Sequence, residues 1–439
     1  MRYNTIFVLT VLTATTLAAG SAAAQQEQRP AVTLEEAIRL SERVTPGVIQ
    51  AQGSVRNAGA QLRAAYGSFL PSINANSSGG YSFSEGISRT DPITGQVISG
   101  NSSSKSLSMG LSASVDLFTG FRRGADIRAA KAQGTAADAG LVNARFQSRL
   151  NTTTEFFNAL YASHLLAVRR ASVRRAEEQL KVSIAKLQNG TATRSDSLRS
   201  LVNLGNTRLQ LVDAETQLAT AEANLGRLIG VDGRVSAVDD SAYYDVIATL
   251  NPDEIRQAAR DNSPQVQSSE ASANAARANL SAAKSAYWPS LSLSGSYNYS
   301  GNDRNDYQLF NQRQASIRLS WPLFNGFSRE RNITTQSAAL DAASAQAEDA
   351  RRQVDAQLTA QLAALDAARQ RIEISRISVT AAEEDLRVQQ ERYRLGVSTI
   401  VDLLTSQESL AQAEVDLVNS QFAYLRAKAQ IEALIGRSL

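Results

Sequence analysis

The feature that most restricts this chain is that it is written twice. FLPSINANS (Phe69–Ser77) is matched by YWPSLSLSG (Tyr287–Gly295), and Pro46 and Pro264, like Pro71 and Pro289, stand 218 residues apart. VDLFTGF (Val115–Phe121) is matched by WPLFNGF (Trp321–Phe327), now 206 apart, and that spacing then holds without a gap. AEEQLKV from Ala176 matches AEEDLRV from Ala382, Gly190 matches Gly396, Asp196 matches Asp402, and the LIG ending at Gly230 matches the LIG ending at Gly436. Two copies of one unit must fold alike, so every element read in one half is expected in the other. The units divide as 25–230 and 250–439, joined by a connector at 231–249.

Each unit opens with two helices. Leu34–Val44 and Pro252–Asn262 end before Pro46 and Pro264; the next pair ends near Phe69 and Tyr287, before Pro71 and Pro289. The residue before a proline is pushed out of the helical region. The period then changes to two. Ile73, Ala75, Tyr81 and Phe83 share one face, while Asn74, Asn76, Ser82 and Ser84 share the other. Leu107, Met109, Leu111, Ala113 and Val115 alternate with serines and Gly110; Leu291, Leu293, Tyr297 and Tyr299 alternate with serines and Asn298. Ile317, Leu319, Trp321 and Leu323 continue the pattern. Strands are therefore predicted at about 72–84, 106–118, 290–300 and 314–324, with polar external loops at 85–105 and 301–313.

A strand of about 10 residues with one apolar face suits a tilted bilayer crossing. Aromatics also sit at both ends. Phe118, Trp288, Trp321 and Phe324 lie near the helix junctions, and Tyr81, Phe83, Tyr297 and Tyr299 lie at the far end, as interfacial girdles do. Four strands cannot close a barrel, and an open edge cannot face lipid because its N–H and C=O groups would lack partners. The chain must oligomerise: two copies give a side-chain-filled eight-stranded barrel, three give twelve strands and room for a channel.

Long helices follow, predicted at about 126–189 and 329–395, each roughly 95–100 Å. Such length without a wide apolar face indicates a coiled coil or tube wall. The returning helices carry a three–four seam: Leu403, Leu410, Leu417, Tyr424 and Ile431 with Ser406, Ala413, Ser420 and Ala427 between them, and Leu204, Leu211, Leu218 and Leu225 in the first unit. The return helix at about 195–228 spans only about half the long one, so the helix at 265–287 is expected to stack end to end with it, and the connector must bulge at mid-height. The expected fold is mainly α: a coiled-coil α-barrel continuous with a small transmembrane β-barrel, four strands per protomer, completed by oligomerisation.

Composition removes whole classes of function. The chain has no cysteine, one histidine (His164) and a formal net charge of +3. Thiol chemistry, disulfides and Cys/His metal sites are excluded, and no basic face for nucleic acid is indicated. No phosphate loop or convergent catalytic set is visible, so no enzyme and no cofactor is expected. Arg2, the apolar run Ile6–Leu12 and the small residues Ser21–Ala24 form a secretory signal peptide, 1–24.

The stretches YRLGVSTIVDLLTSQESLAQAEVDL (Tyr393–Leu417) and LQNGTATRSDSLRSLVNL (Leu187–Leu204) resemble the TolC-type outer-membrane efflux proteins, and the resemblance covers essentially the whole mature chain. It implies a homotrimer with a 12-stranded barrel in the outer membrane of a Gram-negative bacterium and a helical tunnel across the periplasm. It also implies docking to an ABC or RND inner-membrane transporter through a periplasmic adaptor, for drug efflux or type I secretion. Gly190 and Gly396 would turn the tips at 190–196 and 396–402, which form the periplasmic mouth. Tyr393 matches a tyrosine of the closed entrance, and Asp402 an aspartate of an acidic ring, with Asp196 its counterpart in the first unit. Ser398 and Thr405 stand where an arginine and a second aspartate are usual, and Arg194, Arg392 or Arg394 are the candidates to substitute. The competing readings are a periplasmic adaptor and a structural coiled coil without a channel.

Overall fold

A computed structural model describes residues 29–244, 251–303, 308–437 and 439. The signal peptide at 1–24 and connector residues 245–249 lie outside the described residues.

The duplication is visible in the element boundaries. Helix α1 (Leu34–Val44) and α5 (Pro252–Asn262) are equivalent, as are α2 (Pro46–Gly67) and α6 (Pro264–Lys284). The long helices α3 (Arg122–Gln188) and α7 (Ser328–Arg394) each have 67 residues, about 100 Å. The return helices α4 (Arg194–Ile229) and α8 (Ile400–Ile435) each have 36. All four boundaries of α7 and α8 stand 206 residues after those of α3 and α4.

Between the helices lie the strands β2 (Ser72–Thr90), β3 (Val97–Phe118), β5 (Ser290–Asn302) and β6 (Phe310–Ser320), in one antiparallel sheet ordered β2-β3-β5-β6. Three differences from the sequence expectation have physical causes. The 85–105 segment is not a loop: β2 and β3 stay paired out to Thr90 and Val97 around a turn held by Asp91, with a bulge between Ser84 and Ile87. Backbone pairing does not need apolar alternation once both faces are wet, so the pattern faded before the ladder did. For the same reason β5 and β6 reach into 301–313. At the other end β6 stops at Ser320, not 324, because Pro322 has no N–H to give. Trp321 and Phe324 therefore follow the strand. The register keeps the two faces apart, with Leu111 opposite Ala75 and Tyr297, and Ser112 opposite Asn74 and Ser296.

The helices form a wall. Near the sheet the neighbours run α2-α3-α6-α7, and toward the far end α4-α3-α8-α7. The two layers meet end to end. Gly436, at φ 70°, closes α8 so near the next layer that an added Cβ would lie 2.9 Å from the Asn262 carbonyl oxygen. Gly230, at φ 74°, closes α4 in the same way against Val44, so the 195–228 helix stacks on the helices of its own unit and not on 265–287 as expected, because α4 lies on the α2 side of α3 and α8 on the α6 side. The largest core cluster lies around this junction, where Phe156, Phe422, Leu225, Ile229, Ile431 and Ile435 are fully buried.

The connector packs on the wall. A short strand β1 (Ala31–Val32) pairs in parallel with β4 (Ser236–Ala237). Buried Glu222 accepts from Arg29 at 3.1 Å and Arg234 at 2.8 Å, holding both segments to α4. His164 lies 2.7 Å from Asp239, and the Tyr244 hydroxyl donates to Asp239 at 2.9 Å. Burial, first, and that bond to Asp239 push the Tyr244 hydroxyl's pKa up, so it stays a donor. The chain's one histidine is a tether for the connector.

Candidate functional site

Two ends of the wall carry unusual structure. At the sheet end each strand pair enters its long helix through two successive left-handed residues: Gly120 (φ 61°) and Phe121 (65°), then Gly326 (64°) and Phe327 (62°). A phenylalanine in this region costs about 1–2 kcal/mol. Packing offsets it. Phe121 stands edge-on to Phe118 at 5.4 Å and Trp288 at 5.8 Å, and Phe327 edge-on to Phe324 at 5.4 Å. The Trp321 indole donates to the Tyr287 carbonyl at 3.3 Å, and Arg329 sits 4.2 Å from the Tyr287 ring centre. Phe118, Trp288, Trp321 and Phe324 thus gather at one level with arginines beside them. Phe121 and Phe327 escaped the sequence reading, although the repeated Gly-Phe pair was their signal.

The far end is built by two helix hairpins. Gly190 (φ 74°) and Gly396 (φ 77°) follow the last turns of α3 and α7 and take the left-handed conformation that lets the chain reverse. Thr191 N–H bonds back to the Lys186 carbonyl, and Val397 N–H to the Arg392 carbonyl, both at 2.9 Å. Thr193 and Thr399 then open α4 and α8 with reciprocal capping boxes. Asp196 accepts from Thr193 N–H at 2.9 Å and Oγ1 at 2.8 Å; Asp402 does the same with Thr399 at 3.0 and 2.8 Å. Those bonds, backbone first, and nearby Arg392 hold the Asp402 carboxyl below its usual range. Asp402 is fixed in place and ionised at neutral pH.

Tyr393 is buried at 6% exposure in an apolar cluster with Leu386, Ile400, Leu403 and Leu410. It does not meet Asp196 or Asp402. Its partner is Lys186, which sequence reasoning missed. The Lys186 ammonium lies 4.2 Å from the Tyr393 ring centre and donates to the Tyr393 carbonyl and, at 3.3 Å, to that of Arg394. A cation over an aromatic face and at a helix C-terminus is favourable on both counts. It joins the α3 end to the α7 end. Arg394 instead pairs with Glu391 of its own helix at 2.9 Å. The signal for Lys186 is faint in sequence, because a lysine in the last turn of a helix is ordinary and its partner is 207 residues away.

A family model described as outer membrane efflux protein matches residues 38–231 and 255–437, the two units in turn. The chain belongs to the outer membrane efflux protein family. Among curated relatives, outer membrane protein TolC of Vibrio cholerae is 25% identical over 317 residues, spanning 70% of each chain. Alkaline protease secretion protein AprF of Pseudomonas aeruginosa is 22% identical, across 68% of this chain and 64% of its own length. The fold matches the Campylobacter jejuni CmeC outer membrane channel with a TM-score of 0.78 at 19% identity, covering 92% of this chain and 85% of that one. It matches the open state of the Neisseria gonorrhoeae MtrE outer membrane channel with 0.71 at 20%, covering 92% and 89%. The protein is an outer-membrane one, with its helical wall in the periplasm.

Proposed function

We propose that this protein is the exit duct of a tripartite export system, a homotrimer whose periplasmic mouth is closed at the α3/α4 and α7/α8 tips. One observation carries the reading: the open edges coincide along the whole molecule. β2, α2 and α4 bound one side, and β6 and α7 the other. A side that differs from its complement repeats head to tail and closes a ring. Three copies bring twelve strands to the barrel. Apolar side chains wait on both edges: Leu201, Val202, Leu209 and Val212 on α4, and Ile374 and Ile377 on α7.

In this reading the serine- and asparagine-rich sheet face lines a wet lumen, and the apolar face meets lipid. Trp288, Trp321, Phe118 and Phe324 fix the depth of the barrel at the periplasmic interface. Asp402, kept charged by its cap, is repeated by the three-fold axis into an acidic ring, with Asp196 beside it in the first unit. Lys186 and Tyr393 clasp the two hairpins of each protomer. Opening moves the hairpins apart, and a periplasmic adaptor drives it by binding the open tips better than the closed ones. The energy comes from an inner-membrane ABC or RND transporter; this chain supplies passage, not catalysis. The relatives include both a protease secretion protein and efflux channels, so the duct design serves both kinds of cargo.

The test is planar-bilayer conductance of the detergent-purified protein, with oligomer mass measured in parallel. A trimer with small, cation-selective conductance is expected, and Asp402→Ala should raise conductance or weaken block by polyvalent cations. A water-soluble protein without channels would defeat the duct and return the adaptor or structural coiled coil.

A further inference from the structure

The apolar sheet face becomes cationic and aromatic toward its outer end. Along its paired positions it carries Ile73, Leu111, Val115, Leu293, Ile317 and Leu319, and then Arg313. Arg313 stands opposite Tyr297, and Asn311 opposite Tyr299. The four side chains form a cluster. The Arg313 guanidinium lies 5.3 Å from the Tyr297 ring centre, Asn311 donates to the Tyr297 hydroxyl at 2.9 Å, and the Tyr297 and Tyr299 hydroxyls are 2.7 Å apart. Farther out on the same face, Lys105 stands opposite Tyr81. No carboxylate occupies a paired position on this face among the described residues, and no ion pair forms with Arg313 or Lys105 among them.

The depth fits a headgroup. Tyr297 and Tyr299 are seven and nine residues beyond Ser290, the first residue of β5. At about 3.3 Å per residue and a tilt near 40°, they lie roughly 18–23 Å above the periplasmic aromatics, close to the far edge of an apolar band about 25 Å tall. An arginine there lays its stem on the apolar face and lifts its head toward the surface. The fork of the guanidinium matches phosphate oxygens in pairs, and two tyrosine hydroxyls and an amide beside it supply neutral hydrogen bonds.

We propose that Arg313, Asn311, Tyr297 and Tyr299 form a lipid-facing site for the phosphate of a phosphorylated glycolipid in the outer leaflet, with Lys105 as a second, more distal cation. The charge complementarity is one-sided: cations without counter-ions among the described residues meet an anionic lipid surface. The proposal rests on the barrel reading, in which this face meets lipid.

The test is a native mass-spectrometry titration of the detergent-purified full chain. The probes are bis-phosphorylated lipid A, the same lipid with both phosphates removed, and inorganic phosphate. Wild type should bind the phosphorylated lipid at least about fivefold more tightly than the dephosphorylated one. Arg313→Gln should abolish that preference, Arg313→Lys should keep part of it, and Tyr297→Phe should reduce it while leaving the ring under the cation. Unchanged preference in Arg313→Gln overturns the site. So does equal wild-type binding of the two lipids, or full competition by inorganic phosphate. Binding of neither lipid also overturns the site, while failure of the barrel reading shows separately, as a water-soluble protein without channels in the conductance measurement.

Discussion

The two tips began as copies and are now held together differently. The α3/α4 and α7/α8 hairpins share lengths, capping boxes and turn glycines. A polar layer is also kept: Gln179, Ser183 and Ser200 hydrogen-bond in the first, and Ser406 donates to Asp385 in the second, at positions 206 apart. Nearer the turn they part. Where the second tip buries Tyr393, Ile400 and Leu403, the first has Leu187, Arg194 and Ser197, none of them buried. Both hairpins have a core, at Val173, Ala176 and Leu204 in the first and at the equivalent Leu386 and Leu410 level in the second, but only the second carries it down to the turn. Near its turn the first has caps and hydroxyls, and leans on its partner through Lys186. In the proposed duct, a mouth built from one firmer and one looser tip opens at the looser one.

That comparison can be broken. Leu403→Ala should destabilise the second tip most, by about 2–5 kcal/mol, since Leu403 is 1% exposed. Ser197→Ala, at the equivalent place, should stay within about 0.5 kcal/mol. Hydrogen exchange of the two tip segments reads both, and equal protection in wild type would already contradict the asymmetry. Lys186→Met should come next. It removes the clasp but not the caps, so closed-channel conductance should rise while the thermal midpoint barely moves; a silent channel would leave Lys186 a surface lysine.

Smaller effects should be symmetrical. Thr193→Ala and Thr399→Ala remove equivalent caps and should each cost about 1 kcal/mol, seen as faster exchange in the first turn of α4 or α8. Acid should act through the same box. The Asp402 pKa is lowered in the fold, so its stabilisation is present above the ordinary carboxylate range and is lost as pH falls through the lowered value. The second tip should loosen below about pH 4, and Asp402→Asn should flatten that response.

The apolar face offers a check independent of the tips. A charged residue at Leu293 or Ile317, which face each other deeper in the apolar band than Arg313, should cost about 2–4 kcal/mol. The same change at Ser112 or Ser294, facing the lumen, should be tolerated. Equal tolerance on the two faces would mean that neither meets lipid.

The sequence by itself determined the repeated order of elements. Constant spacing, prolines at helix ends and the switch of period from 3.6 to two are local signals, and the long helices began within about four residues of where those signals put them. What lay in contacts across hundreds of residues was not readable. Only the tertiary structure seated Lys186 on Tyr393, tied His164 to Asp239 and brought Arg29 to the buried Glu222. It also showed that β2 and β3 outrun their alternation, because strand pairing is a property of two backbones and leaves no periodic mark where both faces are wet. The left-handed Phe121 and Phe327 make the same point: a conformation costly in isolation is chosen only when the aromatic packing around it is already in place.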